Sequence, residues 1–237
     1  MSKGVANPCM EVYKMFNKDL YEKEHDAVFC EYRAKYQDRS SLLFEDGIVD
    51  PDNYHGLLFL LKEAYSKKQE FGECNLVADL AKSGPWGMWN RVCEWAYGIE
   101  NTTADKIAPF HVFSDEEKRK ALSRLAVVNV KKINGKSTSS NEDLKKYVED
   151  NKEVLRKEIG SIQPKIVICG NTFRYMKSIF DIKNDTQCDN WYYWLTIDGL
   201  GDILILDYYH PAVQYPALLT YYGIINIYQQ ALINKPS

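Results

Sequence analysis

The sequence predicts an α/β fold of three layers, in which helices cover both faces of a central, mostly parallel, four-stranded sheet. Short apolar runs bounded by turn residues are typical of strands buried on both faces, and the chain holds several, among them "LLFLL", "AVVNVKK" and "KIVIC". Segments with helical periodicity separate these runs. Parallel strands need such crossover connections, so the alternation predicts a parallel sheet with a helix between successive strands.

The N-terminal region is predicted to form a helical arm. Residues 10–37 carry apolar and aromatic residues every three or four positions among charges, which predicts one amphipathic helix or two. "EDGIVDPDNYHG" is rich in residues that favour turns, and "LLFLL" after it predicts the first buried strand. We therefore divide the chain into an arm of residues 1–50 packed on the core and an α/β domain of residues 51–237.

The rest of the chain is predicted to alternate helices and strands. "GPWGMWNRVCEWAYGI" places Trp89, Val92 and Ala96 on one helical face, and "SDEEKRKALSRL" starts with a serine cap and acids before the strand "AVVNVKK". A long capped helix, "STSSNEDLKKYVEDNKEVLRKEIGSI", precedes "KIVIC", and the helix "NTFRYMKSIF" follows it. "NWYYWLTIDGLGDILILDYYHP" predicts two strands around a turn, and "ALLTYYGIINIYQQALI" predicts the last helix.

Composition excludes several classes of protein. Hydrophobic residues make up 45% of the chain, yet no apolar run is long enough to span a bilayer, and "MSKGVANPCM" lacks the apolar block of a signal peptide. We expect a cytoplasmic monomer without a membrane partner. No two of the six cysteines lie within four residues of each other, so we predict reduced thiols and no metal. The net charge of -3 does not indicate a nucleic-acid binder, although a local basic patch remains compatible with one.

Polar residues follow the predicted strands, at the sheet edge where open α/β sheets bind ligands. In chain order they are Lys62, Glu63, Tyr65, Asn129, Lys131, Lys132, Gly170, Asn171, Thr172 and His210. Each also has a structural interpretation. Glu63 alone is more often a solvated or ion-paired side chain, and His210 could cap a loop. Asn129 could bond to a neighbouring loop, because a buried amide without partners costs about 1–3 kcal/mol. Their convergence on one edge favours a site that includes a carboxylate, an amide and a histidine.

Four motifs in order resemble those of the uracil-DNA glycosylase superfamily, especially its family 4 branch. "LLKEAYS", "VVNVKK", "PKIVICGNT" and "DYYHPAVQY" stand where that family has an apolar strand ending in "GEAPG", then "TNVVKC", "P-x-I-I-x-x-x-G-x-T" and "T-x-HPS-x-L". The resemblance covers about residues 56 to 215 and implies a uracil-DNA glycosylase-like fold, with DNA as the partner.

The resemblance implies a role for each residue. Glu63 and His210 would be catalytic, and Asn129 would read the pairing edge of a base extruded from DNA, since an amide both donates and accepts. The base would stack on an aromatic side chain, for which Tyr65, Phe71, Trp86 and Trp89 are candidates and Trp86 is favoured. Contacts to DNA phosphates would come from the residues around them, namely Lys62, Lys131, Lys132, Gly170, Asn171 and Thr172.

Three departures from the family pattern narrow the expected function. The cysteines that hold the family's iron–sulfur cluster are absent, so we predict no cofactor. Tyr65 and Ser66 replace the Pro-Gly of the first motif, and "HPA" replaces "HPS". The altered pocket wall suggests a glycosylase for uracil or a bulky modified cytosine, such as glucosylated hydroxymethylcytosine in phage DNA. Two alternatives stay open: a catalytically silent nucleic-acid-binding module, and a hydrolase of free nucleosides.

Overall fold

A computed structural model describes residues 16–36, 42–65, 72–135, 139–183 and 191–236. Within these ranges the chain forms seven helices and eight strands. In chain order they are α1 (Lys18–Tyr36), β1 (Leu43–Glu45), β2 (Gly47–Ile48), β3 (Leu57–Glu63), β4 (Glu73–Asn75), α2 (Leu76–Ser83), α3 (Met88–Asn101), α4 (Asp115–Ser123), β5 (Leu125–Lys131), α5 (Asn141–Ile162), β6 (Ile166–Gly170), α6 (Phe173–Phe180), β7 (Tyr192–Ile197), β8 (Gly201–Tyr208) and α7 (Ala217–Ile233).

The main sheet has six strands in the order β2-β5-β3-β6-β8-β7 and is mixed. Strands β5, β3, β6 and β8 pair in parallel, whereas β2 and β7 pair antiparallel at the two edges. The α/β class predicted from the sequence is confirmed, but the prediction of four strands is wrong. Strand β2 has only two residues and lies among turn-forming residues, so it was not predicted. Strand β7 is the first strand of the predicted pair "NWYYWLTIDGLGDILILDYYHP", but the short turn to β8 permits only antiparallel pairing, so β7 adds an edge strand to the four parallel ones.

Both faces of the sheet are covered by helices. Along β3, Leu57, Phe59 and Leu61 contribute to one hydrophobic core, together with α2, α3, α4 and α7. Leu58 and Leu60 contribute to a second core, together with α5 and α6. Because successive side chains of a strand point to opposite faces, this division gives the three layers that the sequence predicts.

The N-terminal arm is joined to the sheet more closely than its predicted boundary at residue 50 suggests. Helix α1 is one helix in the described part of the predicted range 10–37, and its Val28, Phe29 and Tyr32 pack with Tyr147 of α5. Strand β2, which precedes the boundary, is an edge strand of the main sheet, and β1 pairs in parallel with β4 in a small second sheet.

Two features of the described residues bear on membranes and metals. None of the helices in these ranges has the length and apolar character needed to cross a membrane. The same ranges contain no group of three or more His, Cys, Asp or Glu side chains arranged to hold a metal ion. Four thiols there are unpaired, those of Cys30, Cys74, Cys93 and Cys169, whereas Cys9 and Cys188 lie outside the described residues.

Candidate active site

The register of the parallel strands brings the predicted site residues to one edge of the sheet. Asn129 on β5 pairs with Leu61 on β3, and Lys131 pairs with Glu63 two residues further on. On the other side of β3, Gly170 ends β6 opposite Tyr208 of β8, and His210 follows two residues later. The carboxyl ends of these four strands therefore carry the carboxylate, the amide and the histidine.

Gly170 allows the segment with His210 to lie directly against the sheet. A Cβ atom at Gly170 would stand 2.9 Å from Leu61 Cδ2 and 3.5 Å from the Cα atom of His210. Only β6 separates β3 from β8, so the backbones that carry Glu63 and lead to His210 are about 10 Å apart. Gly170 thus has a packing role in addition to any role in DNA contact.

His210 is a neutral imidazole with a defined tautomer. Its Nδ1 atom accepts a hydrogen bond from the backbone N–H of Ala212 at 3.2 Å, so the ring proton is on Nε2. Burial, reinforced by the positive charge of Lys62, lowers the pKa of His210 to about 4. Nε2 has no hydrogen-bond partner within the part of the chain that the structure describes. His210 can therefore donate one hydrogen bond to a ligand without changing its protonation.

An arginine that the sequence did not single out holds the loop after His210. Arg91 of α3 donates from Nη1 to the carbonyl oxygens of Pro211, at 3.1 Å, and Val213, and from Nη2 to that of Tyr215 at 3.0 Å. One guanidinium with several fixed donors can satisfy such a set of carbonyls, whereas a lysine cannot reproduce the geometry. No spacing in the sequence signals this contact, because its partners lie more than a hundred residues away.

The carboxylate of Glu63 is held in place. Its side chain is only 4% exposed, and Oε2 lies 3.3 Å from Nζ of Lys131, which also forms an ion pair with Asp143 of α5. Burial acts to lower the pKa of Lys131, but the hydrogen bond to Asp143 and the charge of Glu63 outweigh it and raise that pKa. A Cβ atom at Gly135 would stand 2.3 Å from Glu63 Cδ, so the residue-135 backbone covers the carboxylate.

This close approach makes Gly135→Ala a specific test of where Glu63 must stand. The added methyl group would overlap the Glu63 side chain, so we expect the carboxylate to move and the fold to lose about 1–3 kcal/mol of stability. If Glu63 is catalytic, base release should fall about tenfold or more, because small misplacements of a catalytic group are costly. Gly160→Ala, where a Cβ atom meets nothing within 4 Å, is the matched control for activity and thermal unfolding.

Asn129 is buried and oriented by a residue that the sequence analysis missed. Both its backbone N–H and its Nδ2 donate to Oδ2 of Asp46, at 2.7 and 2.9 Å. Asp46 stands between β1 and β2, in the stretch interpreted as turn chemistry, and it is fully buried. Asn129 therefore has the structural role considered from the sequence, a bond to a neighbouring loop. The bond also fixes the amide, leaving Oδ1 and the second Nδ2 hydrogen to face other groups.

The structure separates the predicted phosphate contacts into different groups. Lys132 is fully buried and ion-paired with Asp46 and Glu158, so its ammonium group cannot reach a phosphate as predicted. Thr172 is also buried, and its hydroxyl donates to the carbonyl of Leu60 at 2.6 Å. The predicted residues with side chains accessible at the edge are Lys62, which is half-buried, and Asn171, which is exposed with φ of 58°.

The predicted aromatic platforms also differ in exposure, apart from Phe71, which lies outside the described residues. Trp89 is only 5% exposed and belongs to the hydrophobic core, so its ring cannot stack on a base, whereas Tyr65 and Trp86 are about half exposed. Three further aromatic rings, which were not among the predicted platforms, contact one another around the residue that precedes His210: Trp191, Tyr209 and Tyr215. We refer to these three residues as the aromatic strip. The strip could have been suspected from "NWYYW" and "YYHPAVQY", but both stretches also fit buried strands.

A cleft of about 580 Å³ opens beside the loop after His210. One wall is the start of α3, with Gly87, Arg91 and Glu94, and the other is formed by residues 211–217. Burial raises the pKa of Glu94 in this wall. Among the described residues, the lining includes neither Glu63 nor Asn129 nor His210, although Pro211 connects the cleft to the histidine. The volume is in the range of clefts that hold small organic ligands.

Comparison with known proteins adds no further assignment. The chain matches no protein-family model and no curated protein. The site therefore rests on the chemistry and geometry of its own residues.

Proposed function

We propose that the chain is a monofunctional DNA glycosylase that hydrolyses the N-glycosidic bond of a non-canonical pyrimidine and leaves an abasic site. One observation carries the proposal. His210, a neutral histidine with its proton on Nε2, lies at the same sheet edge as Glu63, which is two strands away and is held by Lys131. This pairing of a hydrogen-bond donor with a carboxylate suits a reaction that separates charge, as cleavage between a base and its sugar does.

The two groups would act on opposite ends of the breaking bond. As the bond lengthens, negative charge develops on the base, and a hydrogen bond from His210 Nε2 to its O2 atom would stabilise that charge. Positive charge develops on the sugar, where the carboxylate of Glu63 would stabilise it and orient or deprotonate the attacking water. Neither step requires a cofactor. The two backbones are about 10 Å apart, with Gly170 of β6 between them.

Recognition of the base is assigned to Asn129. With Nδ2 bound to Asp46, the amide keeps one N–H and the Oδ1 acceptor, which together match a pyrimidine pairing edge that offers one acceptor and one donor. Tyr65, whose ring is half exposed, replaces a residue of the family's first motif and alters the wall beside Glu63. We infer that this wall admits uracil or a bulkier base, such as glucosylated hydroxymethylcytosine of phage DNA, in a protein acting as a cytoplasmic monomer in phage defence.

The test is to incubate the protein with uracil-containing DNA, unmodified DNA and glucosylated phage DNA, and then to cleave abasic sites with alkali. Strand breaks in one modified DNA, lost in Glu63→Gln, would support the proposal. Absence of breaks in all three DNAs would contradict it, and DNA affinity that survives both Glu63→Gln and His210→Ala would then indicate a silent binding module. Base release from free nucleosides without DNA would indicate a nucleoside hydrolase.

A further inference from the structure

The aromatic strip extends the sheet edge beyond His210. Trp191 stands at the start of β7, and its carbonyl accepts a hydrogen bond from the backbone N–H of Asp207 at 2.9 Å. Tyr209 immediately precedes His210, and Tyr215 lies in the loop that Arg91 holds. The strip is therefore attached to rigid elements on both sides of the proposed catalytic histidine.

The rings of the strip support one another without covering their own faces. The centroid of Tyr209 lies 5.4 Å from that of Trp191 and 5.6 Å from that of Tyr215, with interplanar angles of 52° and 71°. Tilted and edge-to-face contacts of this kind leave ring faces unstacked. Trp191 is 48% exposed and Tyr215 is 52% exposed, so two large aromatic rings are open to solvent within one short stretch of surface.

Positive charge lies at the same sheet edge as the strip. Lys62 is near enough to His210, the residue after Tyr209, to lower the pKa of that histidine. Arg174 of α6 is exposed, but α6 packs on the opposite face of the sheet from Tyr209. Exposed aromatic rings beside cations are the combination that binds single-stranded nucleic acid, in which unpaired bases stack on the rings and phosphates meet the cations. A duplex, whose bases already stack on each other, cannot use the rings in this way.

We propose that Trp191, Tyr209 and Tyr215 form a stacking surface for the unpaired nucleotides beside the target base, so that the chain binds single-stranded DNA in preference to duplex. The inference rests on the proposed function for its account of why the strip adjoins His210. To that function the stacking surface adds a preference for single-stranded DNA and names the residues that determine this preference. Binding by itself, however, requires no catalysis and can be measured on unmodified DNA.

The test is fluorescence anisotropy of the full chain with a labelled oligothymidylate of about 12 nucleotides and with the matching duplex. We expect tighter binding of the single strand, and a loss of about fivefold or more for each of Trp191→Ala and Tyr215→Ala. Trp191→Phe and Tyr215→Phe should retain most of the affinity, because they keep a ring. Leu219→Ala, which removes a 66% exposed apolar side chain from the nearby helix α7, should change nothing.

The outcomes separate this inference from the proposed function. Equal or tighter binding of the duplex, or alanine variants that bind like the wild type with unchanged thermal unfolding, would overturn the stacking surface and leave the glycosylase assay to be judged on its own. Ring-dependent binding of the single strand by a protein that releases no base would support the stacking surface and count against the enzyme.

Discussion

Replacing His210 with alanine is expected to reduce base release by about 10²–10³-fold, the loss typical when a donor to developing negative charge is removed. The effect should appear in kcat more than in KM, because the hydrogen bond strengthens only as charge builds on the leaving base. Single-turnover release of the free base, measured on the DNA that wild type cleaves, is the appropriate readout. Since the Ala212 N–H loses only a partly exposed acceptor, the fold should be kept.

The control for this prediction is His55→Ala. His55 precedes β3 and lies at the other end of the parallel strands, where its Nδ1 is 3.1 Å from Oε1 of Glu100. The substitution His55→Ala removes the same kind of side chain far from the site, so the activity per folded molecule should be unchanged. Equal losses in the two variants would mean that histidine removal acts through stability, and an active His210→Ala would rule out the proposed donor.

The lowered pKa of His210 gives the same prediction a dependence on pH. Burial and Lys62 lower this pKa to about 4 in the folded chain, from an ordinary value of about 6.5. The imidazole therefore stays neutral across pH 5–8, and the rate should not fall in that range on account of His210. Below pH 6.5 the unfolded chain takes up a proton that the folded chain does not, so stability should fall as the pH drops from 6.5 towards 4. His210→Gln should lose less stability over that interval when urea unfolding is followed.

The sequence predicted the elements whose signals are local. Runs such as "LLFLL" and "KIVIC" allow little besides buried strands, and Ser114 with Glu117 forms the capping box that starts α4. Strand β2 was missed because two residues carry no periodicity, and its pairing with β5 depends on a partner about eighty residues away.

The site shows the same division between local and distant signals. Glu63 and His210 could be placed at one edge because parallel strands expose their carboxyl ends together. The burial of Lys132 could not be foreseen, because in sequence it is one of two adjacent lysines after a strand, and only Asp46 and Glu158 distinguish it from Lys131. Alternation along the strand puts neighbouring side chains on opposite faces, yet it does not reveal which face offers carboxylates.

The second large effect is expected from Lys132→Met, which should destabilise the fold by about 3–5 kcal/mol. Nζ of Lys132 lies 2.5 Å from Asp46 Oδ1 and 2.6 Å from Glu158 Oε1, and all three side chains are fully buried. Burial raises the pKa of Glu158 well above its ordinary value, against the opposing charge of Lys132. Methionine fills much of the same volume but leaves the carboxylates of Asp46 and Glu158 without their cation. The midpoint of urea unfolding measures the loss.

Lys157→Met supplies the matched control for Lys132→Met. Lys157 of α5 pairs with Glu31 of α1 at 2.6 Å, but the side chains are 57% and 44% exposed, and removal of such a surface pair should cost less than about 1 kcal/mol. Adding Glu158→Gln to Lys132→Met should recover part of the loss, because it removes one of the two buried acidic groups that Lys132 pairs with. Equal stability of Lys132→Met and wild type would contradict a requirement for the buried cation.

The same buried lysine also connects the N-terminal helix to the proposed site. Nζ of Lys132 lies 5.8 Å from the ring centroid of Phe29 in α1, and it binds Asp46, which fixes the amide of Asn129. The folded fraction of Lys132→Met should therefore lose base recognition.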